Sequence, residues 1–224
     1  MFRYAVLKLR ALSLSLLLSM SCAAAEMNPP VRPLGHGLFQ IGEVTLDKSN
    51  RTVRFPGVVN LRDETVEYAV VHKAGKTHES IFRTDARPQD IHVAMLLLGA
   101  RPAMTNTFGD DGKAAPKGDE VTLQVCWTNH GTRTVCPMED VTLNRETKQT
   151  LSRGVWIYNG SNFSESAFTA ERDGSIISLH IDPDALINNP RPGRENDDLH
   201  VPNARMLPAL GSSVEITIRL IAPP

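Results

Sequence analysis

The sequence lacks an excess of positive charge and, beyond its first residues, any long apolar run. Its 24 Lys and Arg residues are balanced by 25 Asp and Glu residues, which gives a formal net charge of −1 at pH 7. A chain without a basic surplus has no predicted patch for phosphate backbones, so nucleic acid is not an expected partner. No segment after the N-terminal region approaches the ~20 apolar residues of a membrane-spanning helix. The chain after its N-terminal region is therefore predicted to have no transmembrane span.

The sequence also lacks the common motifs of cofactor, metal and phosphate chemistry. It contains no C-x-x-C and no G-x-S-x-G, and Gly35-His36-Gly37 lacks the third glycine and the preceding strand of a dinucleotide-binding loop. The acidic loop 195–198 offers oxygen ligands of the kind that calcium prefers, but it lacks the D-x-D-x-D-G framework. No cofactor is predicted.

The first 25 residues have the three parts of a secretory signal peptide. Residues 1–10 carry basic side chains and no acid, an apolar run of about eleven residues follows, and Ala23 and Ala25 are small residues at a cleavage site. Cleavage after Ala25 is predicted, so the protein is expected to be exported to the periplasm or the extracellular space. Three of the 24 basic residues and none of the 25 acids leave with the signal, so the mature net charge is about −4.

Cys22 offers an alternative form of export. Cleavage before Cys22 would leave this residue lipidated and the protein tethered to a membrane. The lipid anchor is not favoured, because lipoprotein signals usually carry Leu three residues before the cysteine, where this chain has Ser19.

Cleavage after Ala25 would leave two cysteines, Cys126 and Cys136, in a segment that predicts a β-hairpin. Alternating apolar residues lead into Asn-His-Gly, which has the composition of a tight turn. With a three-residue loop at 130–132, Cys126 would face Cys136 at a Cα separation that a disulfide accepts. An exported protein meets oxidising conditions, so a structural disulfide between these cysteines is predicted. Their spacing matches no common zinc site.

Alternating apolar residues in the rest of the chain predict an α+β fold that is mainly β. The clearest strand is SVEITIRLI near the C-terminus. Segments 65–73 and 76–85 are expected to form two strands joined as a hairpin. One segment, roughly 88–98, has helical spacing instead, with Pro88 at its start and Gly99 after it. The order of these segments favours an antiparallel sheet or sandwich of about nine strands with one principal helix.

Segment 75–80, GKTHES, contains the candidate binding residues His78, Glu79 and Ser80. A His beside a Glu also suggests a metal site, but zinc proteases place two His residues four positions apart on a helix. On a strand, His78 and Glu79 would point to opposite faces, and His78 and Ser80 would share a face. No acid stands at a spacing that would complete a catalytic triad, so catalytic and metal-binding residues stay unassigned.

Several phrases of the sequence resemble the YdjY-type domain, a family of exported bacterial proteins without an assigned activity. They are VRFPGVV, EYAVVHKAGKTHESIFRTDARPQDIHVAMLLLGA, the tryptophan hairpin ending in PMEDV, GVWIYNGS and DPDALINN. The resemblance implies a single domain over residues 38–224. Residues 26–37, rich in Pro and Gly, are expected to form a flexible arm between this domain and the signal peptide at 1–25. The resemblance also implies a special role for His78, Glu79 and Ser80, without supplying a reaction or a cofactor.

Two classes of function remain open at this point. The first is a non-catalytic envelope or secreted module that binds an unknown ligand or protein, which export and the lack of a catalytic constellation support. The alternative is a metal-dependent or hydrolytic enzyme that uses His78 or Glu79. A pocket lined by either residue would favour the enzyme, whereas burial against backbone partners would favour the binding module.

Overall fold

The computed structural model of the protein describes residues 30–103, 114–164 and 167–221. The expected signal peptide at 1–25, with Cys22, lies outside these residues. Most regular structure in the described residues is β-strand, with two α-helices, α1 (Pro88–Leu97) and α2 (Thr169–Asp173). The prediction of a mainly β fold is therefore confirmed.

The described residues contain sixteen strands, some of them only two or three residues long. They are β1 (Arg32–Gly35), β2 (Leu38–Ile41), β3 (Val44–Asp47), β4 (Thr52–Val59), β5 (Tyr68–His72), β6 (Ser80–Thr84), β7 (Asp119–Asn129), β8 (Thr132–Pro137), β9 (Thr142–Asn144), β10 (Trp156–Tyr158), β11 (Phe163–Ser164), β12 (Ala167–Phe168), β13 (Ser175–Ser178), β14 (Ile187–Asn188), β15 (His200–Pro202) and β16 (Ser213–Leu220). More strands form than the predicted nine because the shortest ones are too brief to show a period of two. Strand β1 lies within the expected arm, and its side chains are exposed.

Eight strands close into a barrel. They follow one another in the order β4, β16, β7, β10, β14, β13, β5 and β6, and β6 pairs again with β4. The closing register sets Val58 opposite Arg83 and Val59 opposite Phe82. The prediction of an antiparallel sheet or sandwich is wrong, because the sheet is closed and two of its pairings, β5–β6 and β13–β14, are parallel. Closure pairs backbone groups that an open sheet would leave at its edges.

Strand β4 allows this closure because it has two successive partners along one edge. Its first three residues pair with β3 and its last two with β6, while β16 pairs along nearly its whole length. Pro56, which has no N–H to donate to a ladder, lies in the interval between β3 and β6. The Thr84 hydroxyl donates to the Pro56 carbonyl at 2.5 Å and holds β6 against this interval.

The connection from β5 to β6 is a parallel crossover and not the predicted hairpin. Tyr68 is paired with Ser80 and His72 with Thr84, so both strands run in the same direction. The chain returns through residues 73–79, and Gly75 in this segment packs closely on the backbone of Asp173 and Gly174. A Cβ atom at Gly75 would stand 2.7 Å from the Asp173 carbonyl oxygen, so only glycine fits this approach.

Helix α1 confirms the helix predicted at 88–98. Its N-terminus is held by Glu171 of α2, whose carboxylate accepts the Gln89 backbone N–H at 3.0 Å and pairs with the Arg87 guanidinium at 2.9 Å. Gly99 follows the helix with a φ of +85°, the left-handed conformation that ends many helices. No helix in the described part of the chain is long and apolar enough to cross a membrane.

Large apolar side chains fill the core. Trp156, Tyr68, Phe55 and Phe82 are each at most 2% exposed. Strand β16 buries its alternating apolar residues, as its sequence predicts. Full burial of a side chain of this size stabilises the fold by roughly 1.5–3 kcal/mol.

The hairpin of β7 and β8 has a shorter loop than the predicted one. Asn129 pairs with Thr132, so the loop contains two residues, His130 and Gly131. These residues have φ angles of +46° and +78°, and positive values at both central positions are typical of the tight turns that join twisted antiparallel strands.

This register separates the two cysteines. Cys126 lies opposite Val135, and Cys136 lies opposite Val125. A shift of one residue moves a side chain to the other face of a strand, so the two thiols point to opposite faces of the hairpin. The predicted disulfide is therefore not formed: Cys126 is a half-buried free thiol and Cys136 a buried one.

Candidate functional site

The candidate residues His78, Glu79 and Ser80 lie where the β5–β6 crossover enters β6. Thr77–Glu79 forms a short 3-10 helix, so the strand geometry predicted for His78 and Glu79 is wrong. The His78 Nε2 and Glu79 Oε2 atoms are 3.7 Å apart, and the His78 side chain is 79% exposed. Ser80 is fully buried, and its backbone carbonyl accepts the Asn60 side-chain amide at 2.9 Å. The structure thus brings His78 and Glu79 together and removes Ser80 from any ligand.

Lys76, in the same crossover, belongs to a chain of polar contacts that joins two distant segments. Its ammonium donates to the Tyr68 hydroxyl at 2.6 Å, and this hydroxyl donates to the Asp182 carboxylate at 2.9 Å. Burial, followed by the charge of Asp182, raises the pKa of Tyr68. Because Tyr68 is 1% exposed, these contacts hold the crossover against residue 182 and are not available to a substrate.

The described residues contain no group of three or more His, Cys, Asp and Glu side chains that could hold a metal ion. Two acids of the regions that the sequence pointed to pair with cations instead. Asp85 pairs with Lys73 at 2.8 Å, and Asp198 of the acidic loop pairs with Arg145 at 3.6 Å. The metal-dependent alternative gains no ligand set from this part of the chain.

His92 lies at the edge of the core, beside Tyr158. Its Nδ1 atom is 2.8 Å from the Tyr158 hydroxyl, and its ring is tilted against Phe168 at a centroid distance of 4.8 Å. Burial lowers the pKa of His92 to about 4 and raises the pKa of Tyr158. His92 is therefore neutral at physiological pH and stabilises the packing of α1 on β10.

One cleft in the described part of the chain is basic. It has a volume of about 780 Å³ and is lined by the loop after β4, by β9 and its following turn, and by β15 and its following loop. We call it the basic cleft, because its charged lining side chains are Arg62, Arg145, Lys148, Arg205 and a single acid, Asp63. Four positive groups against one negative group contrast with the chain's net charge of −1.

The floor of the basic cleft is a two-stranded ladder. Strands β9 and β15 are antiparallel, and Leu143 lies directly opposite Val201. Both side chains are half-buried and line the cleft. Because paired residues of a ladder share a face, these two form an apolar strip between the basic groups.

Arg62 lines the basic cleft and forms hydrogen bonds with the loop after β15. Its Nη2 atom donates to the backbone carbonyls of Ala204 and Leu207. The Nε atom is buried without a hydrogen-bond partner, and no carboxylate pairs with Arg62 among the described residues. A guanidinium that contacts only carbonyls has no negative counter-charge, and an anion in the cleft would supply one.

The comparison with family models identifies the chain. A model described as the YdjY domain matches residues 44–219. The chain belongs to the YdjY domain family. The match runs from β3 into β16, so this YdjY domain includes the whole barrel and the basic cleft. No curated protein and no solved structure matches the chain.

The most specific phrase of this YdjY domain lies apart from the basic cleft. His78, Glu79 and Ser80 are not among the residues that line it. The sequence interpretation missed the basic cleft, because its four basic residues come from three distant segments. Only Arg145 and Lys148 stand close together in the sequence, in a polar turn that carries no motif.

Proposed function

We propose that this YdjY-domain protein is an exported, non-catalytic binding module that holds an anionic ligand in the basic cleft. The observation that carries the proposal is a cleft of about 780 Å³ with four basic side chains and one acid. Volumes of this order are typical of small-molecule sites. A concave surface lined mostly by one sign of charge raises the local concentration of ligands of the opposite sign.

Export is supported by the basic head, apolar run and small residues of the first 25 positions. N-terminal sequencing of the protein recovered from the producing cells tests it. A mature chain that begins at Glu26 supports a soluble exported form, whereas a lipidated chain that begins at Cys22 supports the membrane-tethered one. A chain that keeps residues 1–25 contradicts export by this signal.

Anion binding is tested by calorimetric titration of the full chain at low ionic strength with citrate, a compact anion, and suberate, an extended one. We expect at least one of them to bind and its affinity to fall as salt is added, because salt screens exposed charges. Arg205→Gln should weaken binding. Lys117→Gln removes an exposed charge that does not line the basic cleft and should leave binding unchanged.

Two outcomes contradict the proposal. The first is that neither anion binds. The second is that Lys117→Gln weakens binding as much as Arg205→Gln does, because the protein would then attract anions without using the cleft.

A further inference from the structure

The basic side chains of the cleft stand at two ends of the β9–β15 ladder. At one end, the Arg145 backbone N–H donates to the Leu199 carbonyl at 2.7 Å, just before β15 begins. Lys148 lies in the same turn, where its backbone N–H donates to Asn144 at 2.9 Å. At the other end, Arg205 follows Ala204, whose carbonyl is held by Arg62.

The separation of these ends follows from the strand between them. Three residue steps lead from His200 to Asn203 along β15 and the residue after it. Extended chain rises about 3.3 Å per residue, so these three steps alone keep the two basic ends at least on the order of 10 Å apart along the backbone. A compact anion fits one end, whereas reaching both requires an elongated molecule.

The middle of the cleft has a different chemistry from its ends. Leu143 and Val201 form the apolar strip on the floor, and the half-exposed side chain of Met206 lies beside the far end. Charged groups of a ligand would lose hydration over this strip without gaining a partner. Methylene groups would gain contact with it.

We infer that the ligand is an elongated dianion with an apolar middle, of the α,ω-dicarboxylate class, with one carboxylate at each basic end. This inference rests on the proposed function and names its ligand class. Arginine binds carboxylate with two parallel hydrogen bonds, and each end carries an arginine, Arg145 or Arg205. The Arg145–Asp198 pair is exposed on both sides, so a ligand carboxylate replaces Asp198 at little cost.

The test compares three probes of matched chemistry on the full chain: suberate, succinate and octanoate. Suberate has two carboxylates and a long apolar middle, succinate lacks the length, and octanoate lacks the second carboxylate. We expect suberate to bind about tenfold more tightly than either of the others, the gain of one charged contact.

Variants at the two ends separate the inference from general attraction. Arg205→Gln and Lys148→Gln should each weaken suberate binding about tenfold. Each should change octanoate binding much less, because octanoate can use the other end. Asp63→Asn should strengthen suberate binding, because it removes the only acid that lines the cleft. Lys117→Gln is the control for the loss of one positive charge.

The outcomes distinguish the two proposals. Equal affinity for the three probes, with loss in Arg205→Gln, overturns the dianion inference and leaves the anion-binding module standing. If Arg205→Gln and Lys148→Gln both still bind suberate more tightly than the other probes, the placement of the ligand across this cleft is overturned. No binding of suberate, succinate or octanoate overturns the dianion inference, and the anion-binding module falls with it only if citrate also fails to bind.

Discussion

Glu139 and Arg191 form an ion pair inside the protein, with 2.7 Å between Oε1 and Nη2 and side chains only 4% and 9% exposed. The same Glu139 oxygen accepts the Trp156 indole N–H at 3.1 Å, and the Arg191 guanidinium lies over the Trp156 ring at 4.9 Å. Burial, the largest influence, lowers the pKa of Arg191, and the charge of Glu139 opposes this shift. The pair joins the segment after β8 to the segment after β14.

Removal of one member of this pair should be severely destabilising. Arg191→Met leaves the Glu139 carboxylate buried without its counter-charge, and we expect a loss of about 3–5 kcal/mol in the free energy of unfolding. Urea denaturation at pH 7 measures it. Arg153→Met is the matched control, because Arg153 pairs with Asp140 at the surface with its own side chain 60% exposed, and should cost at most about 1 kcal/mol. Similar small losses in both variants would contradict the structural role of the buried pair.

Two buried histidines should make the protein less stable in acid. Burial lowers the pKa of His92 to about 4, and burial, with the charges of His180 and Arg191, lowers the pKa of His200 to about 4. The ordinary value is 6.5, so between pH 6.5 and 4 the unfolded chain binds protons that the folded chain does not. The contribution of these histidines to the free energy of unfolding is therefore fully present above pH 6.5. It decreases as the pH falls towards 4, by up to about 3 kcal/mol per histidine.

Urea denaturation at pH 7 and pH 4.5 checks this dependence. His92→Gln should reduce the difference between the two pH values, because glutamine does not titrate and can still form a hydrogen bond with Tyr158. His78→Gln removes an exposed histidine and should leave the difference unchanged. A difference between the two pH values that is as large in His92→Gln as in the wild-type protein would show that His92 does not resist protonation.

The two thiols of the domain should be free and unequal in reactivity. In the full chain carrying Cys22→Ser, we expect two titratable thiols after denaturation without reductant, since Cys126 and Cys136 point to opposite faces. In the native protein Cys126 should react first. Cys136 should react slowly, because it is 5% exposed and burial raises its pKa to about 11. Denatured protein without any free thiol would instead support the disulfide predicted from the sequence.

Gly118 should tolerate no side chain. It precedes β7 with a φ of +136°, and a Cβ atom there would stand 2.0 Å from the Tyr158 carbonyl oxygen of β10. Gly118→Ala must separate these strands, so we expect a loss of more than about 2 kcal/mol in unfolding free energy. Gly131→Ala has a positive φ but open space around it, and should cost about 1 kcal/mol. Equal losses would mean that backbone strain, and not the close approach, decides the effect.

Local patterns identified the elements of this fold better than their pairing. The helix at Pro88–Leu97 and strand β16 follow directly from apolar spacing and end signals. The parallel pairing of β5 and β6 could not be predicted in this way, because strands joined by a parallel return through residues 73–79 have the same local alternation as strands of a hairpin. The cysteine register failed for a similar reason: Asn-His-Gly permits a loop of two residues or three, and one residue decides which face each thiol occupies.

The candidate site also combines features that follow from neighbouring residues with features that depend on distant segments. His78 and Glu79 are neighbours in the sequence, and the structure keeps them together at the surface. Ser80 stands next to them, yet the start of β6 turns it fully inward. Arg62 and Arg205 share no local pattern, and they line one cleft only because the loop after β4 reaches the loop after β15.

The sequence by itself determined the mainly β class, the principal helix and membership of the YdjY domain family, because these depend on residues close together in the chain. Tertiary structure alone decided the closure of the barrel, the separation of Cys126 from Cys136 and the basic cleft. Each of these depends on contacts between distant segments, whose register is set by side-chain packing across strands. A local pattern specifies which face of a strand is apolar but not which strand that face will meet.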